Sequence, residues 1–347
     1  MYSKKVKNII FSIRFLVCEK RKRIFFIMKE GVIVSILKLK PSGKDYIWGG
    51  KRLSEEYNKE IKGNTLAETW ELSCHEDGPC YITGGIYDGL TLQQFIDKKG
   101  NNVLGTNCEK FKQFPILIKF IDAQYNLSIQ VHPNNEYALK NEGQFGKTEM
   151  WYIVDASKDA FLYYGFQKEI SKKEFEKRIQ NNTLLEVLHA VSVQKGDILF
   201  IEPGTIHAVG KNILLAEIQQ NSNVTYRVYD YGRVGKDGKK RDLHIQKALD
   251  VTNRIPIIKN NSSYPHIADC EYFTVDKLLL DGTIMERMEG FVTKESFVSI
   301  LILDGDGVII NHGQTVNFKK GDSLFITAGS GSFAIEGICD ALITRIR

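Results

Sequence analysis

Two absences stand out in this 347-residue chain: long apolar runs and any regular spacing of cysteine. A helix needs about 20 apolar residues to cross a bilayer, and the apolar stretch near the N-terminus, Ile-Ile-Phe-Ser-Ile-Arg-Phe-Leu-Val, is broken by Arg14. A second basic cluster follows it and no small-x-small cleavage site appears, so it does not read as a secretion signal. The six cysteines (Cys18, Cys74, Cys80, Cys108, Cys270 and Cys339) form no C-x-x-C and no disulfide framework. Cys74, His75 and Cys80 offer metal donors but lack a metal-site spacing, and reduced thiols in a cytoplasmic protein are the expectation. A basic stripe is missing too. The net charge of +5 is misleading, because residues 1–28 alone carry +7 and leave −2 for the rest. That excludes a nucleic-acid-binding body, and nothing in the composition points to a membrane partner. Histidine is scarce, with seven in all, so where it falls is informative.

What the chain does have is short alternating apolar runs, at 32–38, 115–121, 127–132, 149–155, 160–164, 197–202, 213–219, 224–229, 297–303, 323–327 and 341–346. Gly, Asn and Asp clusters separate them, the pattern of a sandwich or barrel. Helical periodicity is confined to Thr91–Lys99, Ser171–Leu188 and Leu243–Val251, and Ser171 with Glu174 forms a capping-box pair. Lys195-Gly-Asp-Ile-Leu-Phe-Ile-Glu-Pro-Gly-Thr-Ile-His207 is echoed by Lys320-Gly-Asp-Ser-Leu-Phe-Ile-Thr-Ala-Gly-Ser-Gly-Ser332. In register, His207 faces Ser332. The expected fold is mostly β: two related β-barrel (double-stranded β-helix) domains, with a few helices packed on the first. Residues 1–27 read as a disordered extension, 28–255 as a metal-binding domain with a helical insertion, and 266–347 as a second barrel without metal ligands.

Four residues carry the chemistry: Gln130 and His132 in Leu-Ser-Ile-Gln-Val-His-Pro, Glu149 in Gly-Lys-Thr-Glu-Met-Trp-Tyr, and His207 in Glu-Pro-Gly-Thr-Ile-His-Ala. In a strand, Gln130 and His132 leave the same face. Two imidazoles, a carboxylate and an amide oxygen suit a divalent metal with a position left open. Other residues are ambiguous alone. Lys119 within Ile-Leu-Ile-Lys-Phe-Ile reads as a mark of an exposed sheet face. Glu217 within Leu-Leu-Ala-Glu-Ile-Gln needs a partner or a low-dielectric role. Arg227 and Arg233 read as surface or ion-pair residues.

Together these segments resemble the cupin superfamily, and the specific strings resemble type I mannose-6-phosphate isomerases of the short bacterial form. Lys44-Asp-Tyr-Ile-Trp-Gly-Gly, Ala67-Glu-Thr-Trp-Glu-Leu-Ser, Phe114-Pro-Ile-Leu-Ile-Lys-Phe-Ile-Asp-Ala and Asn223-Val-Thr-Tyr-Arg-Val-Tyr-Asp-Tyr-Gly-Arg extend the likeness over about residues 30–250. It implies one Zn2+ per chain on Gln130, His132, Glu149 and His207. It also implies catalytic roles for Arg227, Glu217 and Lys147, and places Lys119, Ser128 and Arg233 at the phosphate of a hexose 6-phosphate.

The implied reaction interconverts mannose 6-phosphate and fructose 6-phosphate through a cis-enediol(ate). Negative charge building on the C1 and C2 oxygens calls for a metal ion and a fixed cation. A base must also carry the proton, and Glu217, His75 and Lys147 are the candidates. Two other readings stand beside this one. Two His and a carboxylate also form the facial triad of non-haem iron oxygenases, and a sugar-phosphate-binding cupin need not turn over at all.

Overall fold

The computed structural model describes residues 34–60, 63–235, 238–257 and 264–347. The extension expected at residues 1–27 lies outside the described residues. From Ser35 to Arg347 the chain forms one compact unit.

In chain order the first strands are β1 (Ile36–Lys40), β2 (Ser42–Lys44), β3 (Glu68–Leu72), β4 (Tyr81–Thr83), β5 (Ile116–Ala123), β6 (Ile129–Val131) and β7 (Glu149–Ala156). Next come β8 (Phe161–Phe166), β9 (Leu188–Ser192), β10 (Ile198–Ile201), β11 (His207–Ala208), β12 (Ile213–Gln220) and β13 (Tyr226–Tyr229). The last are β14 (His266–Asp269), β15 (Thr274–Leu280), β16 (Arg287–Val292), β17 (Val298–Asn311), β18 (Gln314–Lys319), β19 (Ser323–Ile326) and β20 (Gly331–Arg345). The helices are α1 (Arg52–Glu55), α2 (Leu92–Lys99), α3 (Asn135–Glu142), α4 (Lys172–Gln180) and α5 (Ile245–Val251). The expectation of a mostly β chain with few helices holds.

The expected barrels do not form. Among the described residues the strands make three open sheets: β10-β7-β12-β5-β3-β2, β13-β6-β11-β8-β9, and a nine-stranded sheet running from β14 to β4. The end strands of each order do not pair with one another, so no sheet closes on itself. The first two sheets instead share a core, with Ile121, Trp151, Leu199 and Leu215 from one meeting Leu162 and Tyr164 of the other. Apolar burial, rather than a continuous hydrogen-bonded ring, joins them. The third sheet has its own core of Ile36, Val298, Ile300, Leu324, Ile326 and Ile343. Its composition crosses the chain: β1 pairs on one side with β19 and on the other with β4. The repeated Gly-Asp-x-Leu-Phe-Ile string forms β10 in one lobe and β19 in the other.

Helix ends follow local chemistry. Thr91 and Gln94 make a reciprocal capping box at the start of α2, and Ser171 accepts from the Glu174 amide at the start of α4. The expected helix through Leu188 stops at Gln180. Asn182 takes a left-handed φ of 56°, Leu184–Val187 form a 3-10 turn, and Leu188 opens β9. A left-handed asparagine ends a helix much as glycine does.

Register sets the face that matters. Across one sheet, Lys119 pairs with Glu217, and Glu217 pairs with Trp151. Glu149 pairs with Gln219 one step along that face. Across the other sheet, His207 and Arg227 each pair with Gln130. Cross-strand partners project from the same face, so two polar rows are delivered to the shared interior.

Candidate metal centre

His132, Glu149 and His207 each offer a donor atom within 4.8 Å of the others, and all three are buried. His132 Nδ1 lies 2.8 Å from the Val224 carbonyl and His207 Nδ1 lies 2.9 Å from the Thr205 carbonyl. A carbonyl oxygen only accepts, so both protons sit on Nδ1 and both Nε2 lone pairs face inward. Those Nε2 atoms stand 3.7 Å and 3.4 Å from Glu149 Oε1, which has no hydrogen-bond donor. Three lone-pair atoms turned on one another repel, and Lys147 Nζ reaches only the edge of the trio, 3.5 Å from His132 Nε2, so the donor set fits a metal ion at its centre. The Gln130 amide nitrogen lies 3.4 Å from His207 Nε2, and turning that amide presents its oxygen to the same point.

Burial decides the charge states. It pushes the Glu149 carboxyl up to about 7, against the pull of the Lys147 ammonium. It drives His207 down to about 4 and His132 well below the ordinary imidazole value, so both rings are neutral, as metal ligands must be.

Lys147, Lys119 and Glu217 form a charged group beside the ligands. Lys147 Nζ is 2.6 Å from Glu149 Oε2 and 3.5 Å from Glu217 Oε1, and Lys119 Nζ is 3.2 Å from that same Glu217 oxygen. Burial alone would raise Glu217, but the two ammonium groups outweigh it and hold the carboxyl at about 2. The partner that Glu217 needed is therefore present twice over. Lys119 is not on an exposed face: it is 4% exposed and points into the shared interior.

Two indoles brace this group. Trp151 Nε1 donates to Glu217 Oε2 at 3.0 Å and its ring stands edge-on to His207 at 5.3 Å. Trp70 Nε1 donates to Glu68 Oε2 at 2.8 Å, while Lys119 Nζ lies 3.6 Å from that oxygen and 5.1 Å from the Trp70 ring. His75 stands edge-on to Trp70. Sequence reasoning missed Glu68, Trp70 and Trp151. The signal was faint: a glutamate two residues before a tryptophan on a strand, which places the two on one face.

Arg227 sits on the other polar row, donating from Nε to Ser128 Oγ at 3.3 Å and from Nη1 to the Asp242 carbonyl at 3.0 Å. Arg233 binds Asp230 and the Asn126 carbonyl. Arg241, another omission, grips Asp230 with Nε at 2.8 Å and Nη2 at 2.6 Å. Ser128, Arg227 and Arg233 thus lie along one side, whereas Lys119 belongs with the charged group across the interior.

The five described cysteines form no disulfide. Among the described residues no helix is long and apolar enough to cross a membrane.

Residues 36–160 match the family model "Phosphomannose isomerase type I, catalytic domain", and residues 263–346 match "Mannose-6-phosphate isomerase, cupin domain". The mannose-6-phosphate isomerase ManA of Bacillus subtilis is 35% identical over 318 residues, covering 88% of this chain and 98% of its own. A mannose-6-phosphate isomerase of Streptococcus mutans is 33% identical over 302 residues, covering 84% and 92%. The crystal structure of the mannose 6-phosphate isomerase from Bacillus subtilis superposes with a TM-score of 0.82 at 32% identity, over 89% of this chain and 99% of that one. The apo form of the Salmonella typhimurium enzyme, at 17% identity and a TM-score of 0.73, shares the fold.

Proposed function

The chain belongs to the type I mannose-6-phosphate isomerase family, and from that premise and the site geometry we propose that it interconverts mannose 6-phosphate and fructose 6-phosphate by a metal-dependent proton shift between C1 and C2. The observation that carries this is the trio of inward-facing donors, His132 Nε2, His207 Nε2 and Glu149 Oε1, beside buried lysines and an arginine. Two imidazole nitrogens, a carboxylate and the Gln130 amide match Zn2+, one per chain. When bound, the ion polarises the two sugar oxygens on which negative charge develops.

The chain's own residues do the rest. His132 and His207 enter with lone pairs already aimed, so little ordering remains on binding. Arg227 supplies a permanent charge for the developing enediolate. Glu217 pairs with Lys147 and Lys119; at about 2 its carboxyl is a weak base, so we read it as the anchor of these two lysines. Proton transfer falls to Lys147 itself or to His75. We place the phosphate along Ser128, Arg233 and Arg241, where two guanidinium groups share the single Asp230 carboxylate and leave net positive charge. Lys119, facing Glu68 and Glu217, completes the electrostatic frame beside it. A cytoplasmic location accords with the five described cysteines being unpaired.

A coupled assay for fructose 6-phosphate, run with and without a chelator, tests this reading. Turnover that stops on chelation and returns with Zn2+ is the expected result. A folded, metal-loaded sample without turnover overturns it. Oxygen uptake with Fe2+ in its place would favour the oxygenase reading.

A further inference from the structure

Lys147 stands in a turn, residues 145–148, that contributes no strand pairing, yet its ammonium must be held within hydrogen-bonding distance of two carboxylates. The turn rests directly on the start of α3. A Cβ at Gly146 would lie 2.4 Å from the Asn134 carbonyl carbon and 2.6 Å from the Asn135 nitrogen. Lys147 N donates to the Pro133 carbonyl at 3.0 Å, which ties the turn to the residue after His132.

Ser222 Oγ donates to the Phe145 carbonyl at 2.7 Å at the start of the turn, and the side-chain contacts around Lys147 itself converge on two amides. Asn135 Oδ1 accepts from Gly146 N at 2.9 Å and from Gln220 Nε2 at 3.1 Å. Gln220 Oε1 accepts from Thr148 N at 2.9 Å, while Gln220 N donates to the Thr148 carbonyl at 3.0 Å. Asn135 Nδ2 donates to the Tyr272 hydroxyl at 2.9 Å, from the segment leading into β15. The two amides thus brace the backbone on both sides of Lys147, and the outer end of the chain of bonds is a tyrosine 137 residues downstream of Asn135. Backbone packing restrains the Gly146 side alone, because a cavity of about 190 Å³ bordered by Phe111, Phe145, Asn135, Gln220 and Tyr272 lies along the other. Hydrogen bonds are what fix the turn.

Resting on the isomerase reading, we propose that Tyr272, Asn135 and Gln220 form a positioning relay that sets Lys147 against Glu149 and Glu217. None of the three touches the metal ligands' donor atoms, so the relay acts on turnover through lysine placement and leaves metal and sugar binding largely alone.

The test compares wild type, Asn135→Ala, Asn135→Asp, Tyr272→Phe and the Asn135→Ala/Tyr272→Phe pair in kcat, KM, bound Zn2+ and amide hydrogen exchange at residues 146–148. Misplacing a reacting group by about 1 Å costs on the order of 10²-fold, so Asn135→Ala should lower kcat by up to about that factor with KM little changed. Tyr272→Phe, losing one neutral hydrogen bond, should cost about fivefold. Asn135→Asp keeps the acceptor for Gly146 and Gln220, and the Tyr272 hydroxyl can reverse and donate to it, so kcat should stay within about threefold of wild type. Because tyrosine acts only through asparagine, the pair should be no slower than Asn135→Ala. Faster exchange at Gly146 and Thr148 should accompany every loss of kcat. Wild-type kcat in folded Asn135→Ala, or a further loss in the pair, would overturn the relay. Should Asn135→Ala not fold, Tyr272→Phe decides, with unchanged kcat and exchange counting against the proposal. If the wild type itself does not isomerise, the functional reading has failed, and the exchange data alone judge the relay.

Discussion

A neutral imidazole buried beside a carboxylate is useful only while it stays neutral. His207 has a folded value of about 4 against an unfolded value of 6.5, burial being the main cause. A depressed value contributes stability above pH 6.5 that is lost as pH falls toward 4, because the unfolded ring takes up a proton the folded one refuses. The full loss is on the order of 3 kcal/mol. The Glu149 carboxyl, held up at about 7, works in the opposite sense over the same range, so the His207 share is read as the difference in denaturant midpoint between metal-stripped wild type and His207→Ala, which should shift in disfavour of wild type between pH 7 and pH 5; a constant difference would contradict the buried-neutral assignment. His207→Ala should lose both bound metal and turnover, whereas Arg227→Ala, tied to Ser128 and Asp242, should lose turnover and keep the metal; metal analysis beside the coupled assay separates them. The ligands were legible because their spacing fixes a shared face on a strand and because a Pro-Gly turn precedes His207. Trp151 and Arg241 were not, since each meets its partner across strands or through a loop, and Glu68 was not because Lys119, the cation it faces, comes from the neighbouring strand; register is a property of the folded sheet. Lys119 was misjudged for a related reason. An apolar run with one lysine looks alike whether that face meets water or a buried pair of carboxylates.

Close approach between elements is the scale at which glycine matters. A Cβ at Gly210, just past β11, would fall 1.8 Å from the Phe161 carbonyl oxygen at the start of β8. Backbone cannot yield as a side chain does, so Gly210→Ala should destabilise by about 1–3 kcal/mol. It should also weaken metal binding, because β11 carries His207 opposite both β6 and β8. Unchanged metal affinity by chelator competition would show that His207 is held by its Thr205 contact instead. Most strands of the metal-bearing lobe were readable as alternating runs, and α2, α4 and α5 as 3.6-residue periods. The ends were harder. Nothing in Leu184-Leu-Glu-Val distinguishes a helix continuing from one already ended by Asn181 and Asn182. Helix α3 escaped notice because Asn-Glu-Tyr-Ala-Leu-Lys-Asn-Glu has few apolar positions to show a period.

For the molecule as a whole, barrel closure was the part of the expectation that failed. Alternation shows that a strand has a buried face, but not whether the last strand of a sheet returns to pair with the first. The compact unit begins at Ser35, so a chain starting at Met28 should keep its melting temperature and turnover. One starting at Pro41 should unfold the nine-stranded sheet despite retaining every metal ligand, and calorimetry would reveal it. The reason is where β1 lies. Ser35, whose backbone and side chain both meet Gln314, has its partner 279 residues downstream. During synthesis β4 soon follows on one edge of this opening strand, but its other edge must wait unpaired until β19 leaves the ribosome. Maturation of this protein is therefore gated by its tail: a premature stop late in the message would strand the head of the chain, sticky and without a sheet to join.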